Sequence, residues 1–261
     1  MNASQVYDWL LERDSSFEVS ESTVRNYVRV LREEYQIPKE TAPRSYEAVP
    51  DPPMGEQGQV DFGTTQNKKV SGGEIKLYFI AFVLSHSRYK YKRWLDRPFT
   101  TKDVIEAHEL AFQWYGGMPK ELVYDQDNLI VVSENGGDLI LTEEFQTYRD
   151  KRGFNMRVCK KADPESKGKI ENVVGFVKSN FAKHRVFHTI DSFNDQGVSW
   201  LNRTGNAKVH NTTKKRPAEV FLVEKQHLKP VPNMIQVHQT YDNSIARSVR
   251  KDNTVRYLAN R

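Results

Sequence analysis

Gly58-Gln59-Val60-Asp61-Phe62 opens the decisive stretch of the chain. A Gly72-Gly73 turn follows, then the apolar run Ile75-Lys76-Leu77-Tyr78-Phe79-Ile80-Ala81-Phe82-Val83-Leu84 and the alternating segment Tyr89-Lys90-Tyr91-Lys92-Arg93-Trp94-Leu95. β-Branched and aromatic residues bounded by turn signals read as strands, here an antiparallel meander over 58–62, 75–84 and 89–95. The period then changes. Thr100 caps a helix carrying Val104, Ile105, His108, Leu110, Ala111 and Phe112, which stops at Gly116-Gly117. A strand over 121–124 leads into Asp125, a second helix spans 142–152, and a fifth strand spans 155–159. A third helix, after Pro164-Glu165-Ser166, turns Ile170, Val173, Val174, Val177 and Phe181 to its buried side. The order βββαβαβα predicts an α/β domain with a mixed five-stranded sheet flanked by helices, the polar stretch 125–138 forming an exposed loop.

Outside this core, expected over 55–190, the pattern is less regular. Val6, Trp9 and Leu10 repeat at helical spacing, and Ser20 is placed as an N-cap before Val24, Tyr27, Val28 and Leu31. Two short helices over 1–37 fit a helix-turn-helix DNA reader and a plain helical hairpin alike. In the first reading Glu21, Ser22, Arg25, Asn26, Arg29 and Arg32 face bases and phosphates. Five prolines, Pro38, Pro43, Pro50, Pro52 and Pro53, mark 38–54 as an extended linker. A connector over 191–233 carries short helices around Pro217. Strands at 234–237, 246–250 and 254–257 read as a partial C-terminal β module that stops abruptly at Arg261, as a fragment of a longer protein would.

With 39 Lys+Arg against 34 Asp+Glu, the formal charge is +5 and the pI about 9.1, a balance that favours a polyanionic partner. The excess is concentrated: between Arg149 and Arg185 eleven basic residues face four acids. Phosphate contacts dominate DNA affinity, so Lys167, Lys169 and Lys178 are the candidate backbone contacts, against the plainer reading of a solvated helix face. The lone Cys159 excludes an intramolecular disulfide and fits a reducing cytoplasmic setting. The run 75–84, interrupted by Lys76, is too short to span a bilayer, and no basic-then-apolar leader begins the chain, so no membrane partner is expected. His184 and His188 stand four apart, which on a helix is a metal-binding spacing, but lack a third ligand, so packing or surface roles are the better reading. Tyr89, Tyr91 and Trp94 alternate with Lys90, Lys92 and Arg93, a pattern open to base stacking and to an ordinary amphipathic strand.

Three acids sit where chemistry would need them. Asp61 interrupts a strand between Val60 and Phe62, a position that strands normally spend on packing. Asp125 ends the fourth strand, where sheet enzymes present ligands. Glu171 lies in the first turns of the helix after the fifth strand, where its carboxylate can reach back to the sheet. Singly they read as a strand acid, a turn former and an exposed helix residue; jointly they are hard oxygen ligands for the paired Mg²⁺ or Mn²⁺ ions of phosphodiester chemistry. No Ser-His-Asp grouping calls for another mechanism.

Pro164-Glu165-Ser166-Lys167-Gly168-Lys169-Ile170-Glu171 resembles the retroviral-integrase signature Pro-x-Ser-x-Gly-x-x-Glu. Val60-Asp61-Phe62-Gly63 and Tyr124-Asp125-Gln126-Asp127-Asn128 resemble the first two acidic motifs of the IstA-type bacterial transposases, the insertion-sequence-twenty-one family. The run Pro217-Ala218-Glu219-Val220-Phe221 is similar to that family's downstream region. The resemblance covers about 55–185. It implies a ribonuclease-H-like fold and a DDE-type transposase that uses Asp61, Asp125 and Glu171 with Mg²⁺ or Mn²⁺ for 3′-end processing and strand transfer. It also implies a homo-multimer on element-end and target DNA, an IstB-type AAA+ ATPase partner, and a bacterial, nucleoid-associated cytoplasmic location. Two departures matter. The interval from Asp125 to Glu171 exceeds that of retroviral integrases, which leaves Asp127 as an alternative second ligand, and the N-terminal region has room for one helix-turn-helix only. The acids alone also permit a ribonuclease-H-like nuclease, and the flanks a catalytically inactive DNA-binding regulator.

Overall fold

The computed structural model of the chain describes residues 3–14, 16–37, 51–124, 131–135, 138–158, 164–231, 233 and 235. In chain order its elements are α1 (Ala3–Arg13), α2 (Glu21–Glu34), β1 (Gln57–Lys68), β2 (Glu74–Leu84), β3 (Lys90–Leu95), α3 (Thr101–Tyr115), β4 (Glu121–Tyr124), β5 (Val131–Asn135), β6 (Asp138–Leu141), α4 (Glu143–Arg152), β7 (Asn155–Val158), α5 (Pro164–Phe176), α6 (Ile190–Trp200) and α7 (Pro217–Glu224). Asp125, Asp127, Cys159, most of the linker and nearly all of the expected C-terminal β module lie outside the described residues.

β1, β2 and β3 form the antiparallel meander, and β4 and β7 join β1 in parallel, for a sheet ordered β3-β2-β1-β4-β7. This is the mixed five-stranded sheet that the order of elements predicts. Along β2, Leu77, Phe79, Ala81 and Val83 face a core with Ile170, Val173, Val177, Phe181, Phe193 and Trp200. Ile80, Phe82 and Leu84 face the opposite core with Val104, Ile105, Phe112, Phe145 and Phe221. Both faces are covered, which is why β2 reads as an unbroken apolar run rather than an alternation.

Three expectations change. The stretch expected as a polar loop contains the hairpin β5–β6, paired from Val131↔Leu141 to Asn135↔Asp138. Its signal, Gly136-Gly137 between Val131-Val132 and Leu139-Ile140-Leu141, is a standard hairpin pattern that the polar residues around it obscured. β3 is not a half-exposed strand: Lys90 and Lys92 are both buried. Lys90 Nζ donates to the carbonyls of Arg88 at 2.8 Å and Gly205 at 3.0 Å, while Lys92 lies 3.9 Å from the centre of the Phe181 ring. Burial, then the nearby Arg88 charge, lowers the Lys90 pKa to about 7. Finally, His184 and His188 do not share a helix, since His184 adopts φ +69° just beyond the π-helical segment Val177–Ala182 that extends α5.

The N-terminal helices pack against this core through polar groups. Ser20 caps α2 by accepting from Thr23 N–H, as expected. The buried residues of α1, however, are Gln5 and Asp8 rather than an apolar stripe. Asp8 Oδ1 accepts from Arg203 Nε and Thr204 Oγ1, both at 2.9 Å, and Glu12 accepts from Arg185 Nη1 at 3.0 Å and Arg203 Nη2 at 2.7 Å.

α3 begins with a capping box between Thr100 and Asp103 and ends at Gly116, whose φ of +68° suits glycine. Its His108 is fully buried. Nδ1 faces the Val104 carbonyl at 2.6 Å and so must carry the proton; Nε2 then accepts from Tyr124 Oη–H at 2.9 Å. Burial, opposed by the Val104 bond, lowers the pKa to about 4. The unfolded imidazole takes up a proton near its ordinary value of about 6.5, whereas the folded one resists until about 4. Stability is therefore lost as pH falls through this window, by about 3 kcal/mol for this residue at full effect. Urea unfolding between pH 7 and pH 4 should show a shallower decline in His108→Gln than in the parent; identical slopes would refute the assignment.

Candidate active site

Strand alternation places Gln59, Asp61 and Gly63 on one face of β1, level with Val83, Ala81 and Phe79 of β2. That face receives α5. The Ile170 N–H donates to Gln59 Oε1 at 3.0 Å, which fixes the helix against the strand one turn of pleat before Asp61. Further along, a Cβ on Gly63 would lie 2.4 Å from the Phe79 ring and 3.1 Å from Lys178 Cε, so only glycine lets both pass over the strand. Eight helical residues from Ile170 to Lys178 rise about 12 Å, and four strand residues from Gln59 to Gly63 about 13 Å. The two elements therefore run side by side, and Asp61 lies midway along the contact.

Ile170, Val173, Val174 and Val177 bury the underside of this helix, leaving Glu171 exposed beside the seam. Gly175, one turn beyond Glu171 on the same flank, has open space where a side chain would be. Asp61 is half-buried, and its Oδ1 accepts from Phe62 N–H at 2.7 Å. Among the described residues the parallel pairing of β1 with β4 includes Val60↔Tyr124. In sequence Asp61 follows Val60 and Asp125 follows Tyr124, but Asp125, like Asp127, is outside the described residues. Among the described residues no three His, Cys, Asp or Glu side chains converge as a metal site. Asp61, half-buried, and Glu171, exposed, are oxygen donors of the kind Mg²⁺ or Mn²⁺ prefers, so the chemistry of these two of the three acids fits such an ion.

Gln59 and Gly63 escaped the sequence analysis. Their signal was the polar alternation Gln57, Gln59, Asp61 on a face where β2 is wholly apolar. The Gln57 amide nitrogen donates to Glu121 at 3.0 Å, and its Oε1 accepts from Ser85 at 2.9 Å, so this polar row also ties β1 to its neighbours.

The basic candidates are distributed differently. Lys178 borders a cleft of about 330 Å³ with Thr65, Gln66, Ser179 and Lys183, continuing along β1 from Gly63. Lys169 turns away from Glu171, about 200° around the helix, and pairs with Asp51 at 3.2 Å. The side chain of Lys167 lies outside the description. Much of the basic run is paired internally: Arg149 with Asp150, Arg152 with Glu109, Arg157 with Glu121 and Arg185 with Glu12. On α2, Arg25 and Arg29 are exposed and form ion pairs with Glu21 and Glu33 one turn away, while Arg32 is half-buried. Tyr27 and Leu31, expected on the inner side, are exposed with them.

No family model matches the chain. Across its whole length it is 45% identical to a transposase for an IS21-like insertion sequence element from Bacteroides fragilis, of which it covers 50%. Over 68% of its length it is 26% identical to the transposase for insertion sequence element IS21 from Pseudomonas aeruginosa, covering 45% of that protein. The chain thus spans about half the length of these curated relatives. Among solved structures it is similar to a chain of the simian T-cell lymphotropic virus intasome in complex with the PP2A regulatory subunit B56 gamma. The TM-score is 0.50 at 13% identity, over 92% of this chain and 79% of that one. The latter is a likeness of fold, and it agrees with the ribonuclease-H-like sheet order described above. Motifs, sheet order and similarity along the whole chain converge on one family, the IS21-like insertion-sequence transposases, which this chain resembles over about half of their length.

Proposed function

We propose that the chain is the catalytic part of a DNA transposase that processes the 3′ ends of a mobile element and joins them to target DNA, with Asp61, Asp125 and Glu171 as its acidic set. The observation that carries this reading is the Ile170-to-Gln59 hydrogen bond, which sets the glutamate-bearing turn of α5 beside the strand presenting Asp61. Acids separated in sequence by most of the core thereby stand on neighbouring elements. Asp125, the residue after Tyr124 in the sequence, is the proposed second member of the set, and Asp127 is the alternative.

Bound there, paired Mg²⁺ or Mn²⁺ ions would acidify the attacking water or hydroxyl and neutralise the leaving oxygen. The chain's own contribution is placement. The Phe62 amide orients the Asp61 carboxylate, the apolar underside of α5 leaves Glu171 exposed on the helix, and Lys178 offers a cation for the DNA backbone further along β1. Exposed Arg25 and Arg29, with Arg32, are the proposed DNA contacts of the N-terminal module, over 1–37, and 55–190 is the proposed catalytic domain. The family also supports assembly into multimers on two element ends, an IstB-type ATPase partner and a nucleoid-associated location; no helix among the described residues is long and apolar enough to cross a membrane. An assay on element-end DNA tests the reading. Joined products should form only with Mg²⁺ or Mn²⁺ and vanish with chelator. Nicked but unjoined products would point to a nuclease instead, and duplex binding without any cleavage to a regulator.

A further inference from the structure

At the end of the sheet where the linker enters, basic groups outnumber the acids that neutralise them. Asp51 Oδ1 accepts from Arg88 Nη2 at 2.5 Å and lies 3.2 Å from Lys169 Nζ. Arg88, in the turn between β2 and β3, is 6% exposed, and its Nη1 is buried without a hydrogen-bond partner among the described residues. Lys90 anchors the turn through the Arg88 carbonyl. His210 lies close enough to Lys90, Arg88 and Asp51 to respond to their charges; burial first, then the two cations, lowers its pKa to about 4 despite Asp51. Burial disfavours ionisation of Asp51 too, but its bond to Arg88 and the charges of Arg88 and Lys169 outweigh this and hold its pKa below the usual carboxylate value. Two cationic side chains, Arg88 and Lys169, therefore hold one carboxylate, with a histidine close by.

Geometry favours a larger anion than a carboxylate. A guanidinium presents a planar fork suited to two oxygens of one phosphate, yet here the contact with Asp51 is through Nη2, while Nη1 stays desolvated and unmatched. A buried N–H without an acceptor is costly, so this one, beside an exposed carboxylate, calls for an occupant. The place is accessible, since the Asp51 side chain is 36% exposed. Lys169 also stands on α5 two residues before Glu171, on the far side of the helix from it.

We propose that Arg88 and Lys169 form a binding site for a DNA backbone phosphate, and that Asp51 occupies this site in cis until the phosphate displaces it. The choice of DNA as the source rests on the transposase reading. The linker carboxylate acts as an internal competitor: it holds the strand-proximal end of the linker against the core when DNA is absent and is released when DNA seats.

Duplex binding by the full chain, followed by fluorescence anisotropy in chelator over a range of salt, tests the site independently of catalysis. Asp51→Asn should bind several-fold more tightly than the parent. Lys169→Gln should bind several-fold more weakly, and its plot of log K against log salt should be shallower by about one, the change expected for one lost phosphate contact. Unchanged or weakened binding by a folded Asp51→Asn, or an unchanged slope in Lys169→Gln, would overturn the proposal and leave Asp51 a structural tether. Should Asp51→Asn unfold, the Lys169→Gln slope decides. Inorganic phosphate at matched ionic strength is the second arm: if it competes with duplex for Asp51→Asn but not for Lys169→Gln at concentrations near its own cellular range, the site serves a free anion and the DNA assignment falls. A parent chain that binds no duplex overturns this site and the transposase reading together, whereas binding without strand transfer counts against the catalytic reading alone.

Discussion

Asp61→Asn and Glu171→Gln should each reduce strand transfer by about 10³-fold or more, equivalent to about 4 kcal/mol of transition-state stabilisation, while leaving the fold intact. The first half of this expectation follows from charge. Each substitution keeps the shape of the side chain and removes the negative charge on which affinity for a divalent ion depends. The second half follows from the structure. An asparagine at 61 retains an oxygen that can accept from Phe62 N–H, and Glu171 is exposed, so both changes spare the described backbone bond and the apolar core. Asp125→Asn should match them if Asp125 is the second ligand, and Asp127→Asn should match them instead if it is not. Thermal unfolding of each variant separates loss of chemistry from loss of structure. Full activity in both Asp61→Asn and Glu171→Gln, with normal folding, would remove the acidic set from the mechanism.

The meander and the buried stripe of α5 were legible because they follow simple periods: β2 is apolar throughout, and Ile170, Val173, Val174, Val177 and Phe181 recur at helical spacing. Asp61 was legible for the opposite reason, as a charge where a strand should be apolar. α6 was not. Its inward stripe contains Phe193 and Trp200, but two further stripe positions are Asn194 and Gly197, which carry no apolar signal. Each has a tertiary reason. β3 is an edge strand, and Asn194 satisfies it by accepting from Trp94 N–H at 2.9 Å and donating to the Trp94 carbonyl at 3.1 Å. Asn206 does the same for Lys90, at 2.9 and 3.0 Å. Gly197 is bare because Lys92 Nζ lies 1.9 Å from where its Cβ would be. A helix that serves a neighbouring strand's backbone and a buried lysine thus loses the very pattern by which helices are recognised. The same logic concealed the Asp51 cluster, whose members come from the linker, a turn and α5 and meet only in the folded chain.

The largest stability effect should come from Glu109, because four separate donors depend on its two oxygens. On α3, it accepts from Tyr148 Oη–H at 2.7 Å and from Arg152 Nε at 2.7 Å through Oε1. Through Oε2 it accepts from Arg152 Nη2 and from Ile235 N–H, the latter at 2.7 Å. The Glu109 and Arg152 side chains are 1% and 9% exposed, so water cannot take over these bonds. Glu109→Ala should therefore cost about 3 to 5 kcal/mol, most of it the penalty of leaving a guanidinium buried without its carboxylate. Arg152 also donates to the Asn233 carbonyl at 2.6 Å, a neutral acceptor that supports the charge only partly. The mechanism makes a sharper forecast than the single variant does. If uncompensated charge is the main cost, Glu109→Leu combined with Arg152→Met should be markedly more stable than Glu109→Ala alone, although it removes more polar contacts. Equilibrium urea unfolding of the parent, Glu109→Ala, Glu109→Leu, Arg152→Met and the double variant reads this directly. A double variant as unstable as the sum of Glu109→Leu and Arg152→Met would mean that α3, α4, Asn233 and Ile235 are held by the hydrogen bonds themselves, and the charge-burial account would fail.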